Sequence, residues 1–140
     1  MKTVFIIDNN YEYRESLRSI LEDEEVEVVE SDCPDSAYRI LATMDTPDLI
    51  VCDLHMPFTT GAREADFKTS YEVGLRTMHE LAWVFPETPV IAMAGLTETD
   101  LGRIREYLAP IPAYAKSSNL FETVEIVRGF LHSKDLGGVQ

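Results

Sequence analysis

Leu49-Ile50-Val51-Cys52-Asp53-Leu54-His55-Met56-Pro57 decides the fold. Four apolar residues run without a polar break and stop at an acid. An unbroken apolar run of this length is the pattern of a strand covered on both faces, as in a parallel sheet. The same layout stands upstream, where Val4-Phe5-Ile6-Ile7 stops at Asp8. It returns in Val90-Ile91-Ala92-Met93-Ala94 and, more weakly, in Ala113-Tyr114-Ala115, which Lys116 follows. Between these runs the apolar positions recur at helical spacing: Tyr13, Leu17, Ile20 and Leu21; Ala37, Ile40, Leu41 and Met44; Leu75, Met78, Ala82 and Phe85; Leu101, Ile104 and Leu108; Leu120, Val124, Val127 and Leu131. Val26, Val28 and Val29 supply a further strand, Pro34 lies near the start of the second helix, and Thr97 with Asp100 has capping-box spacing before the fourth.

Five alternations of strand and helix predict an α/β fold, a (βα)5 doubly wound parallel sheet. Right-handed crossovers leave few topologies for five strands. The flavodoxin-like order 2-1-3-4-5 is the common one, and its switch point lies between strands 1 and 3. Asp8 and Asp53 end those two strands. With Lys116 they would meet at the carboxyl edge of the sheet, where open α/β sheets bind ligands. Two carboxylates and an ammonium meeting there suggest a divalent metal and a phosphoryl group. Taken singly each residue has a plainer reading: Asp8 as a cap of the next helix, Lys116 as a solvated charge, Pro57 as a turn former.

A chain of 140 residues suits one domain with one buried core. The net charge of −13 argues against direct nucleic-acid binding, which needs clustered Lys and Arg, and against an anionic membrane surface. No apolar run approaches the ~20 residues that span a bilayer, and the start shows no signal-peptide layout. A cytoplasmic location is expected. Cys33 and Cys52 lack metal-ligand spacing and read as reduced thiols. His79 and His132 fall on helices and read as exposed. Residues 133–140 read as a tail or the start of a linker, leaving a domain over 1–132.

Phe5-Ile6-Ile7-Asp8-Asn9-Asn10, Pro47 to Pro57, Pro89-Val90-Ile91-Ala92-Met93-Ala94-Gly95 and Tyr114-Ala115-Lys116 together resemble the receiver domain of two-component response regulators, CheY-like in type but atypical. The resemblance implies that Asp53 is a phosphoacceptor for a histidine kinase or phosphotransfer protein. It implies that Lys116 contacts the phosphoryl group, and that Asp8, Asp53 and the His55 backbone carbonyl hold Mg²⁺. Enzyme activity would extend no further than the domain's own phosphorylation and dephosphorylation. The family's usual contact surface is the face of helix 4, strand 5 and helix 5, where Tyr107, Tyr114 and Phe121 would contribute aromatics.

The chain departs from the family pattern in several places. Asn9 stands where a second acid is usual, so it would be at best a weak metal ligand, with Mg²⁺ bound less tightly. Ala94 lacks the hydroxyl of the usual Thr or Ser, a hydrogen bond on the order of 1–3 kcal/mol to a charged acceptor. Ala113 replaces the switch aromatic, and the neighbouring Tyr114 should face the other side of its strand. Ser117 replaces the proline after the lysine, so the Lys116–Ser117 peptide should be trans. Phe58–Val73 replaces a short loop with a long one that holds Thr59, Thr60, Arg63, Glu64, Asp66 and Lys68. Such a loop is a lid, a docking surface or a tolerated insertion, and Thr59 or Thr60 could return the missing hydroxyl. His55 and Leu96 occupy positions that tune phosphoryl loss, and Leu96 cannot orient water, so a long-lived acyl phosphate is expected.

Three functions compete on these residues: a phosphorylatable receiver; a pseudo-receiver that binds proteins without phosphorylation; and a small phosphohydrolase with Asp8 as nucleophile and Asn10 at the second acid position. A flavin carrier is disfavoured, because the turn after the first strand lacks the residues that cradle a phosphate.

Overall fold

The computed structural model describes residues 1–60 and 71–137, with side chains described to residue 133 outside the gap. Among the described residues five strands, β1 (Thr3–Ile7), β2 (Glu27–Ser31), β3 (Leu49–Cys52), β4 (Val90–Ala94) and β5 (Ala113–Ala115), alternate with five helices. The helices are α1 (Tyr11–Asp23), α2 (Pro34–Leu41), α3 (Glu72–Val84), α4 (Glu98–Leu108) and α5 (Leu120–Gly137). All strand pairs are parallel and the order is β2-β1-β3-β4-β5.

The two-residue period of a strand explains why the apolar runs are unbroken. Val4, Ile6, Leu49, Val51, Ile91 and Met93 point to one face and pack with Leu17 and Leu21 of α1 and Val124, Val127 and Leu131 of α5. Phe5, Ile7, Ile50, Cys52, Ala92, Ala94 and Ala113 point to the other. There they meet Ala37 and Leu41 of α2, Met78 and Leu81 of α3, and Leu101 and Leu108 of α4. Both faces are buried, so neither set of alternating positions tolerates a polar side chain. Tyr114 lies on the α5 side, edge-on to Phe130 at 6.3 Å, as strand parity requires.

Gly74 sets how close α3 approaches. A Cβ there would stand 2.7 Å from Leu54 Cα, so only glycine lets the helix lie against the turn that follows β3. Thr97 caps α4 by accepting the Asp100 N–H at 3.2 Å, as its spacing predicts. Both cysteines are free and buried. Among the described residues the cis peptide is Ala109–Pro110, and Lys116–Ser117 is trans.

Several local expectations need correction. Asp8 does not cap α1. The cap is Asn10, whose Oδ1 accepts the Tyr13 N–H at 3.1 Å. β2 runs two residues beyond Val29, because Glu30 and Ser31 continue the ladder beside Ile6 and Ile7. α3 begins at Glu72, shortening the loop predicted as Phe58–Val73. The backbone of 133–137, read as tail, continues α5. Arg63, Glu64, Asp66 and Lys68 lie outside the described residues.

Candidate functional site at the carboxyl edge

Register brings the three charged residues together. Ile7 pairs with Cys52, so Asp8 and Asp53 stand side by side one step past the ladder. That step is still hydrogen bonded: Asp53 N–H donates to Ile7 O at 2.9 Å, and Asp8 N–H to Ser31 O at 3.0 Å. Ala94 pairs with Ala115, and Lys116 N–H donates to Ala94 O at 2.7 Å. Each functional side chain is thus carried by backbone that belongs to the sheet, the more rigid platform for a site.

The carboxylates divide their oxygens in the same way. Asp8 Oδ1 accepts the Asn10 N–H at 2.8 Å and Asp53 Oδ1 accepts the His55 N–H at 3.3 Å. The other oxygens face Lys116 Nζ, which lies 2.8 Å from Asp8 Oδ2 and 3.5 Å from Asp53 Oδ2. Both acids are buried. Burial and the neighbouring Asp8 charge push the Asp53 carboxyl up to about 7, against the pull of Lys116 and the His55 N–H. Burial disfavours the Lys116 ammonium, but Asp53 and Asp8 outweigh it and hold that group above its ordinary value.

Two carboxylates therefore share one ammonium, and with both acids ionised the cluster carries a residual negative charge. Hard oxygen donors with an excess of negative charge fit a divalent cation that keeps much of its water, and Mg²⁺ is such an ion. Among the described residues no three His, Cys, Asp or Glu side chains gather to form a protein-only metal cage. Asn9 is exposed. The backbone carbonyl of Asp8 is held from behind by the buried Arg14, whose guanidinium donates to it at 2.5 Å.

The surroundings follow the expected departures. Ala94 is buried and presents only a methyl group. Thr60 does not supply the missing hydroxyl: its Oγ1 donates to Asp32 Oδ1 at 2.9 Å and lies 3.4 Å from Cys33 Sγ, and Thr59 is exposed. The hydrogen-bond partners after β2 thus hold Thr60 away from the acids. Leu96 is half-buried against the α2–α3–α4 core. His79 and His132 are exposed, and the His79 ring reaches the Tyr107 carbonyl at 2.7 Å. Tyr107 and Phe121 are exposed on α4 and α5.

Three residues near the site were not singled out by sequence for it. Arg14 is one. Tyr13 is another, with its ring beneath Lys116 Nζ at 4.5 Å from the centroid. The third is Tyr71, stacked on His55 with ring centroids 4.4 Å apart and planes at 24°. Burial, then the nearby Lys116 charge, lower the His55 imidazole, and its buried Nε2 has no partner among the described residues. Helical phase puts Tyr13 in line with Leu17 and Leu21, which reads as core. Nothing in the sequence sets the angle that carries it to the strand ends.

Among solved structures, TrrA of Thermotoga maritima, in complex with Mg²⁺ and BeF, shares 20% identity over 93% of this chain and 99% of its own, with a TM-score of 0.69. The BeF3-activated N-terminal receiver domain of RstA from Klebsiella pneumoniae shares 14% identity over 94% and 100%, at 0.73. NtrX of Brucella abortus, in complex with ADP, is matched by 98% of this chain over 29% of its own length, with 20% identity and a TM-score of 0.75. At these identities the likeness concerns the fold. No curated protein matches the chain. The family profile described as response regulator receiver domain matches residues 4–107, most of the sheet and both strand-end aspartates. The chain belongs to the response regulator receiver domains, the phosphoryl-accepting modules of two-component signalling.

Proposed function

We propose that Asp53 accepts the phosphoryl group, from a histidine kinase or a phosphotransfer protein. The observation that carries this is the register: Asp53 and Asp8 stand on adjacent parallel strands with the Lys116 ammonium within 3.5 Å of both. Asp53 Oδ2 is the oxygen not bonded to its own turn, and it serves as nucleophile. It forms the new O–P bond as the N–P bond to the donor imidazole breaks, and the departing imidazole takes up a proton. Lys116 neutralises charge on the phosphoryl oxygens, so that catalysis is a matter of position and electrostatics.

Mg²⁺ would be held by Asp8, Asp53 and the His55 carbonyl, with Asn9 adding little. When bound, it would supply positive charge to the transferring phosphoryl oxygens. Its binding would be weak for the family, since Lys116 already occupies Asp8 and the second acid is missing. Burial that holds the Asp53 carboxyl up to about 7 makes part of the population protonated at neutral pH, and a cation would return it to the nucleophilic form.

The switch that follows phosphorylation is weakened, because neither Ala94 nor Ala113 offers a group for the phosphoryl oxygens or for the lysine. Tyr107 and Phe121 offer exposed aromatics for a protein partner on the α4–β5–α5 face. Tyr114 is committed to Phe130. The acyl phosphate is long-lived, with Leu96 turned to the core and His55 stacked on Tyr71. The protein acts in the cytoplasm without direct contact to nucleic acid and without membrane insertion. No helix among the described residues is long and apolar enough to cross a membrane.

The buried methyl of Ala94 and the exposure of Asn9 favour one second reading, a pseudo-receiver that binds partners without phosphorylation. The hydrolase reading loses ground, since Asn10 is engaged as the α1 cap. Intact mass after incubation with acetyl phosphate and Mg²⁺ separates the two remaining readings. A single phosphoryl adduct in the wild type and none in Asp53→Ala supports the receiver. No adduct on folded protein with excess Mg²⁺, and none from a panel of phosphorylated histidine phosphotransfer proteins, supports the pseudo-receiver.

A further inference from the structure

Lys116 is tied to the sheet through its backbone, but its ammonium sits on a four-carbon stem with freedom to turn. Among the described residues three groups surround that ammonium: Asp8 Oδ2 at 2.8 Å, Asp53 Oδ2 at 3.5 Å and the face of the Tyr13 ring at 4.5 Å from its centroid. Cation–ring contacts of this length are attractive, and more so away from bulk water. Lys116 is less than a fifth exposed. Tyr13 comes from the first turn of α1 and packs against the α1–α5 core.

The phenol end of Tyr13 shows which part of the side chain the fold uses. Its hydroxyl is buried beside Thr123 of α5 and meets no close hydrogen-bond partner among the described residues. The ring face, by contrast, is in contact with the cation on which the site depends. No equivalent aromatic comes from β4 or β5, where Ala94 and Ala113 stand.

We propose that Tyr13 is a positioning residue of this site: its ring holds the Lys116 ammonium between Asp8 and Asp53, ready for the phosphoryl oxygens. The proposal rests on the reading of Asp53 as phosphoacceptor. It adds a residue on α1 through which the lysine's position is coupled to the α1–α5 side of the sheet.

The test pairs a direct readout of the contact with a functional one. In the unphosphorylated protein, ring currents should shift the Lys116 Cε protons upfield in the wild type and in Tyr13→Phe, but not in Tyr13→Leu. Labelling by acetyl phosphate and Mg²⁺, followed by intact mass, should slow roughly fivefold in Tyr13→Leu, the size expected of one such contact. Tyr13→Phe should restore most of the rate. Tyr13→Met provides a second apolar variant, should leucine disturb α1. Unshifted Cε protons in the wild type overturn the proposal. So does a leucine or methionine variant that loses the shift yet labels at the wild-type rate, or one that keeps the shift yet labels slowly. If the wild type takes no label, the Asp53 reading falls, while the proton shifts still decide whether Tyr13 holds Lys116.

Discussion

Replacing Asp53 by asparagine should make the protein more stable at pH 8, although it removes a buried side chain that accepts a hydrogen bond and faces an ammonium. The reason is that the Asp53 carboxyl is raised from 3.8 to about 7, by burial first and by Asp8 second, with Lys116 and the His55 N–H only partly offsetting them. A carboxyl raised in the folded state favours folding most when it is protonated. Its contribution is full below the unfolded value near 4, falls as pH rises, and is lost above about 7. A rise of about three pH units at about 1.4 kcal/mol each sets a ceiling of about 4 kcal/mol on the cost of ionising Asp53 at pH 8. The rise is already net of the attraction to Lys116; the amide NH2 fits the site less well than a carboxyl does, so a net gain of about 1–3 kcal/mol is expected, or a melting temperature higher by roughly 3–10 °C. Urea unfolding of wild type and Asp53→Asn at pH 5 and pH 8, without divalent metal, measures it. The gain should be large at pH 8 and shrink strongly at pH 5. A variant less stable than wild type at pH 8, or a gain equal at both pH values, would refute the electrostatic argument.

Asn9→Asp should tighten Mg²⁺ binding roughly tenfold, because it adds a hard charged oxygen beside a site already in need of a cation; titration calorimetry reads this, and unchanged affinity would place position 9 outside the metal's reach. Gly74→Ala should destabilise by at least about 3 kcal/mol in urea unfolding, since the new Cβ meets Leu54 backbone that cannot yield without moving α3. Glu25→Gly should stabilise by about 0.5–1 kcal/mol, because Glu25 holds φ 62° in the turn from α1 to β2, a conformation that costs a side-chain-bearing residue but not glycine. The acyl phosphate should persist for minutes or longer in a mass-based decay assay, and loss within seconds would contradict the roles assigned to Leu96 and His55.

Much of the site is legible in the sequence, because strand ends are marked by composition. Val4 to Ile7 and Leu49 to Cys52 must be buried on both faces, and the first polar residue after each must lie where the sheet stops. Asp8 and Asp53 satisfy that condition from the sequence alone. Counting two residues per strand period turns Tyr114 away from the site, and it packs on Phe130. Local signals with two competing outcomes are less decisive. Asp8 and Asn10 are both capping residues by type, and only the geometry of the turn gives the cap to Asn10 and leaves Asp8 for Lys116. Glu30 and Ser31 lack the apolar character of a strand, yet they extend β2 because β1 offers them paired backbone groups.

The order of apolar runs and helical periods determined the parallel sheet, its helices and the acids at its edge, since each of these follows from burial along a single stretch of chain. What the tertiary structure decided are contacts between side chains far apart in sequence, which depend on the angles at which helices settle against the sheet. Tyr13 reaches Lys116 because α1 packs with its first turn over the strand ends, and Tyr71 reaches His55 because Gly74 lets α3 lie against Leu54. Thr60 turns to Asp32 and Cys33 because the loop after β2 offers it closer partners than the acids do. Periodicity fixes which face of an element is buried; only packing fixes which residue it meets there.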